Sequence, residues 1–117
     1  MTRRLAAAAA LFLGACVQPA YDRTVVYELE APGAAASQVA GVRGDDTPLS
    51  WQKDLPLVRA PGDSVFRGVV TYHTGSLKTE MKFTVNGAFE FEDAANRRVV
   101  FTGDTTVYRA RFNRRTQ

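Results

Sequence analysis

Leu77-Lys78-Thr79-Glu80-Met81-Lys82-Phe83-Thr84-Val85-Asn86-Gly87 decides the fold class of this chain of 117 residues. Leu77, Thr79, Met81, Phe83 and Val85 alternate with Lys78, Glu80, Lys82 and Thr84. That period of two belongs to a strand with one face on a core and the other toward solvent. Asn86-Gly87 closes the run with the residue pair that best tolerates the positive φ of a type I′ turn, so Ala88 to Glu92 is expected to return as a hairpin partner.

Strand-like runs recur on both sides of this hairpin. Thr24 to Leu29 puts Val25, Tyr27 and Leu29 on one face and is broken by Ala31-Pro32-Gly33. Gln38 to Gly44 forms another run, after which Asp45-Asp46-Thr47-Pro48 marks a loop leading to Leu49-Ser50-Trp51. Leu55 to Arg59 is short and ends at Ala60-Pro61-Gly62-Asp63. Ser64 to His73 is longer, with Phe66, Val70 and Tyr72 opposite Arg67 and Thr71, and Thr74-Gly75-Ser76 turns the chain. Beyond the hairpin come Arg98 to Thr102 and Thr105 to Phe112, the latter setting Thr106, Tyr108, Ala110 and Phe112 against Arg109 and Arg111. Helical periodicity is nearly absent. Seven or eight short strands in about 90 residues predict an all-β fold, an immunoglobulin-like antiparallel β-sandwich.

The N-terminus has a different character. Met1, Arg3 and Arg4 are followed by the apolar, alanine-rich Leu5 to Leu13 and then by Leu13-Gly14-Ala15-Cys16. About nine apolar residues fall well short of the roughly twenty of a spanning helix, so the run reads as the core of a secretory signal. Leu-Gly-Ala-Cys resembles the cleavage site of bacterial lipoproteins, in which the cysteine becomes the first mature residue and carries the lipid. The expected organisation is a cleaved signal at 1–15, lipidated Cys16 with a tether to residue 23, one β-sandwich domain at 24–113 and a basic tail at 114–117. Val17 stands where an aspartate would mark inner-membrane retention, so the resemblance implies a lipid-anchored protein of the outer membrane. A tether from Val17 to Arg23 reaches about 25 Å at most.

Composition narrows the function classes. Two of the fifteen basic residues leave with the signal, and thirteen against twelve acidic residues gives a mature charge of +1. A nucleic-acid partner is therefore not expected. Cys16 is the only cysteine, so once it is lipidated no thiol remains for a disulfide, a redox pair or a metal site. No cofactor is expected. The single histidine, His73, sits at a strand end beside a turn, and Ser50 and Ser64 lie in no catalytic motif. Asp45-Asp46 reads as a loop turn and Glu90-Glu92-Asp93 as a solvated strand face, since neither has calcium-loop spacing. The chain is not expected to be an enzyme. A small hydrolase of envelope glycans would rest only on the acidic residues flanking Phe91.

Aromatic residues remain. Trp51 is the only tryptophan, and a buried core role suits it as well as a place on a rim. Phe91, between Glu90 and Glu92, is open to the same two readings. Five segments taken together carry a resemblance: Val39-Ala40-Gly41-Val42-Arg43-Gly44, Pro48-Leu49-Ser50-Trp51, Leu55-Pro56-Leu57, Glu80-Met81-Lys82-Phe83 and Phe91-Glu92-Asp93-Ala94-Ala95-Asn96-Arg97. In order and separation they are similar to the starch-binding domains, the family 20 type of carbohydrate-binding module, over residues 22 to 113. The family has a tryptophan where this chain has Phe91, a Leu-Gly-x loop where it has Pro48-Leu49-Ser50, and a proline where it has Ala95. The resemblance implies that Trp51 and Phe91 form a stacking platform for an α-glucan or related polysaccharide while Lys82 and Asn96 hydrogen-bond sugar hydroxyls. The alternative is a structural or interaction lipoprotein that meets an envelope protein, with Arg109, Arg111, Arg114 and Arg115 as a basic contact surface.

Overall fold

The computed structural model describes residues 19–31, 37–92 and 95–115. The expected signal sequence and Cys16, with its expected lipidation, lie outside the described residues, as do Asp93 and Ala94. Eight strands follow in order: β1 (Tyr21–Glu30), β2 (Ala40–Gly44), β3 (Leu55–Arg59), β4 (Val65–Thr74), β5 (Lys78–Val85), β6 (Ala88–Phe89), β7 (Arg97–Val100) and β8 (Thr105–Arg111). No helix among the described residues is long and apolar enough to cross a membrane. The fold is all-β, as the alternation predicts.

One sheet, in the order β6-β5-β2-β3-β4-β1-β8 with β7 also on β5, folds over itself at β3 into two layers. β3 makes the corner because Leu55 to Leu57 pair with β2 while Val58 and Arg59 pair with β4. Between the layers lie Val25, Tyr27 and Leu29 of β1, Phe66, Val70 and Tyr72 of β4, Val42 of β2, Met81 and Phe83 of β5, and Val99 of β7, all buried. The Tyr27 and Phe83 rings meet edge-to-face across the layers at 5.9 Å and 85°. The two fully buried phenols, Tyr27 and Tyr72, satisfy each other through a 2.7 Å hydrogen bond.

Three features depart from expectation. The sandwich is not wholly antiparallel, because β1 runs parallel to β8 from Thr24↔Thr105 to Glu30↔Arg111. β1 begins at Tyr21, so three residues expected in the tether are strand, and four residues spanning about 13 Å remain between Cys16 and β1. Leu77, expected on the core face, is 70% exposed because it precedes the first paired residue of β5.

Candidate functional site

The outer face of β5 carries the site. Lys82 and Thr84 point away from the core, as their alternation requires, yet both are buried. The loop between β2 and β3 folds back over this face, and β6 closes its side. Gly41 and Arg43 of β2 stand opposite Thr84 and Lys82 in the antiparallel ladder. Asp54, at the end of the loop, accepts a 2.7 Å bond from Arg43 Nε and a 2.9 Å bond from Thr84 Oγ1 through one carboxylate oxygen. Its approach needs the absence of a side chain at Gly41, where a Cβ would lie 2.8 Å from Asp54 Cβ and Cγ. Arg43 Nη1 also donates to the Trp51 carbonyl, and Trp51 Nε1 donates to Asp45 Oδ1 at 2.7 Å. The loop thus holds the indole by both its backbone and its ring nitrogen.

The ring beside Trp51 is Phe89. Asn86 and Gly87 take φ of 51° and 80°, as an Asn-Gly hairpin turn requires. The two-residue turn pairs Val85 with Ala88 and Thr84 with Phe89. Phe89 therefore shares the face of Thr84 and Lys82. Its ring, 44% exposed as a residue, lies 6.1 Å from the Trp51 indole at an inclination of 54°. Two cations lie against it, with Arg43 Cζ at 5.0 Å and Lys82 Nζ at 5.8 Å from the ring centroid. Lys82 is only 6% exposed, and its ammonium makes no hydrogen bond or ion pair among the described residues.

Phe91 is elsewhere. β6 stops at Phe89, Glu90 points to the core opposite Phe83, and Phe91 takes a positive φ of 61°. Its ring rests against the guanidinium groups of Arg97 at 4.8 Å and Arg115 at 3.7 Å, and its N–H donates to Asn113 Oδ1. No ring contact joins Trp51 to Phe91 among the described residues. Asn96 does belong to the face: it immediately precedes β7, whose Arg97 pairs with Met81, and its side-chain nitrogen donates to Glu80 of the outer face at 3.0 Å. Three of the four residues expected from the resemblance share one face, and Phe89 provides the second ring.

Glu90 corrects the solvated-face expectation for its segment. It is fully buried and forms a two-point ion pair with Arg97, Oε2 to Nε at 2.7 Å and Oε1 to Nη2 at 2.9 Å. It also accepts the backbone N–H groups of Phe83 and Asn113. Burial works against the Arg97 charge, but its bonds to Glu90 and Tyr108 outweigh that and raise its affinity for the proton. Arg97 in turn donates to the carbonyls of Arg111 and Arg114, fixing the C-terminal segment. A carboxylate so committed is a structural clasp, whereas Glu92, on the other side of Phe91, is exposed. His73 is the exposed strand-end residue the sequence predicts, bonded to Asp22 at 2.8 Å.

No protein-family model and no curated protein matches the chain. The function therefore rests on the site's own chemistry. Two adjacent, inclined aromatic rings over a pair of cations can stack against apolar sugar faces and donate hydrogen bonds to oxygens at their rims. Arg43, Asp54 and Phe89 were not singled out by motif reading, although the Asn-Gly turn register alone assigns Phe89 to the face of Lys82.

Proposed function

We propose that this protein is a lipid-anchored lipoprotein of the bacterial envelope whose outer β2-β5-β6 face binds a polysaccharide, an α-glucan or a related polymer, without catalysis. The observation that carries this reading is the contact between Trp51 and Phe89 above Lys82. Rings inclined by 54° offer two faces to successive sugars of a bent chain, whereas a flat ribbon polymer would meet only one. The loop bonds from Asp54 and Asp45 hold Trp51 in place before a ligand arrives, which lowers the ordering cost of binding. The anchor rests on the Leu13 to Cys16 pattern and the outer-membrane location on Val17 after it, and the short link to β1 keeps the sandwich near the bilayer. No cofactor enters this reading.

Affinity electrophoresis through gels containing amylose or glycogen tests it. The full chain should be retarded, Trp51→Ala and Phe89→Ala should each lose at least tenfold in affinity, about 1.4 kcal/mol, and Phe91→Ala should keep most of it. Absence of retardation by every polysaccharide tried would sink the proposal.

A second reading, an interaction module for an envelope protein, draws on the opposite outer face. There Val69 and Val107, 64% and 48% exposed, flank Val26 in one cross-strand row, next to a row of Arg67, Glu28 and Arg109. Recovery of one stoichiometric partner, independent of sugar and lost on Val107→Asp, would favour it.

A further inference from the structure

We propose that the polymer bound by the Trp51–Phe89 face carries carboxylates, making it an acidic polysaccharide of the uronate type; this rests on the polysaccharide reading above and narrows its ligand. Several polar groups of this face are already committed. Arg43 has its counter-ion in Asp54, Asp45 accepts from the Trp51 indole, and Glu80 accepts from Asn96. Lys82 is the exception. It is more than nine-tenths buried, yet the described residues give its ammonium no acceptor, only the face of Phe89. The nitrogen is not sealed off, since the buried polar atoms left without partners are Arg23 Nε and Gln38 Oε1, not Lys82 Nζ.

A cation without a counter-ion in the described residues is open to one from the ligand. An anion adds direct charge attraction to the hydrogen bond, strengthened at a site this little exposed to water, whereas a neutral hydroxyl supplies the hydrogen bond alone. The geometry narrows the anion further. Lys82 Nζ lies over the Phe89 ring, 5.8 Å from its centroid, so an anionic group that reaches it must be carried by a sugar packed against that ring. A carboxylate borne on the sugar ring itself has that placement. A second donor stands close by in Arg43, whose Cζ is 5.0 Å from the same centroid and which uses only Nε and Nη1 among the described residues.

The experiment compares sodium polygalacturonate with its fully methyl-esterified form, which keeps the backbone and linkage and removes the charge, and with amylose. Titration calorimetry of the full chain at about 0.05 M and 0.3 M salt reads each affinity. The acidic polymer is expected to bind at least tenfold tighter than its ester. Lys82→Gln should abolish that preference by weakening binding of the acid far more than of the ester, while Lys82→Arg should retain it. Should Lys82→Gln fail to fold, the acid-to-ester ratio of the unsubstituted protein still decides. Equal binding of acid and ester, or preference for amylose, overturns the inference and leaves the polysaccharide reading standing. Binding to no polysaccharide overturns both. An acid preference that survives Trp51→Ala but disappears in Arg109→Glu/Arg111→Glu assigns the polymer to the arginine-rich face of β1 and β8, and overturns the inference as well.

Discussion

Replacing Glu90 by Gln should be among the most damaging single changes to this fold. The substitution keeps volume and removes charge, leaving the Arg97 guanidinium at 4% exposure without its anion. It also presents an amide NH2 to one of two sites now filled by carboxylate oxygens, each of which takes a guanidinium N–H and a backbone N–H, from Phe83 or Asn113. Breaking a buried pair by removing one partner costs about 3–5 kcal/mol. That is a large fraction of the roughly 5–15 kcal/mol that holds a domain together. With a urea dependence near 2 kcal/mol/M, the unfolding midpoint should fall by about 1.5–2.5 M. Trp51, the single tryptophan, is the fluorescence reporter. Glu90→Leu/Arg97→Met, which removes both charges, should be less damaging than Glu90→Gln, the residual loss arising from the Arg111 and Arg114 carbonyls that Arg97 now satisfies. A loss below about 1 kcal/mol for Glu90→Gln, or a double variant worse than the sum of its singles, would refute the clasp.

Two further outcomes follow from the same geometry. Burial pushes the Tyr72 phenol up from 10.0 to about 12, against the opposing effect of its bond to Tyr27, and burial raises Tyr27 further. The folded state therefore holds protons that the unfolded chain releases from about pH 10, so stability should be level below pH 10 and fall between pH 10 and 12. Chemical denaturation at stepped pH checks it, and stability that rises across that window would contradict the buried pair. Gly41→Ala places a Cβ 2.8 Å from Asp54 and 3.0 Å from Thr84 Oγ1, so the loop must lift and Asp54 must loosen its hold on Arg43. A stability loss of about 1–3 kcal/mol, with unchanged circular dichroism and weaker retardation in polysaccharide gels, is the expected result. Retardation equal to the unsubstituted protein would show that Trp51 is positioned without that anchor.

The core was legible in the sequence because alternation states which side of a strand a residue occupies. Val25, Tyr27, Leu29, Phe66, Val70, Tyr72, Met81 and Phe83 all lie where the period of two sends them. The parallel pairing of β1 with β8 was not legible, since it joins the two ends of the domain with no hairpin to announce it. Alternation is also silent about what covers the far side of a strand. Lys82 and Thr84 face outward as predicted and are nevertheless buried, because a loop anchored thirty residues away, at Asp54, closes over them. Glu90 and Arg97 escaped for a related reason: the ladders set them opposite core-facing Phe83 and Met81, yet two charges seven residues apart carry no periodic signature that pairs them.

The site turns on a choice between Phe89 and Phe91 that local physics settles where motif matching does not. Matching segment to segment sends the second ring to Phe91, because it begins a stretch resembling the family's aromatic segment. Counting back from the turn gives a different residue. Asn86-Gly87 closes a two-residue hairpin, which pairs Thr84 with Phe89, and Thr84 stands two positions from Lys82 on the same face. The same register would bring Phe91 beside Lys82 only if β6 ran straight for two more residues. It does not: Glu90 takes the core-facing place opposite Phe83 that the register assigns to it, and the chain then leaves the ladder at Phe91, whose φ is 61° and whose ring lies against Arg97 and Arg115. Arg97 thus holds both Glu90 and the ring of Phe91, and a variant that releases Glu90 should disturb the binding face as well as the stability of the domain.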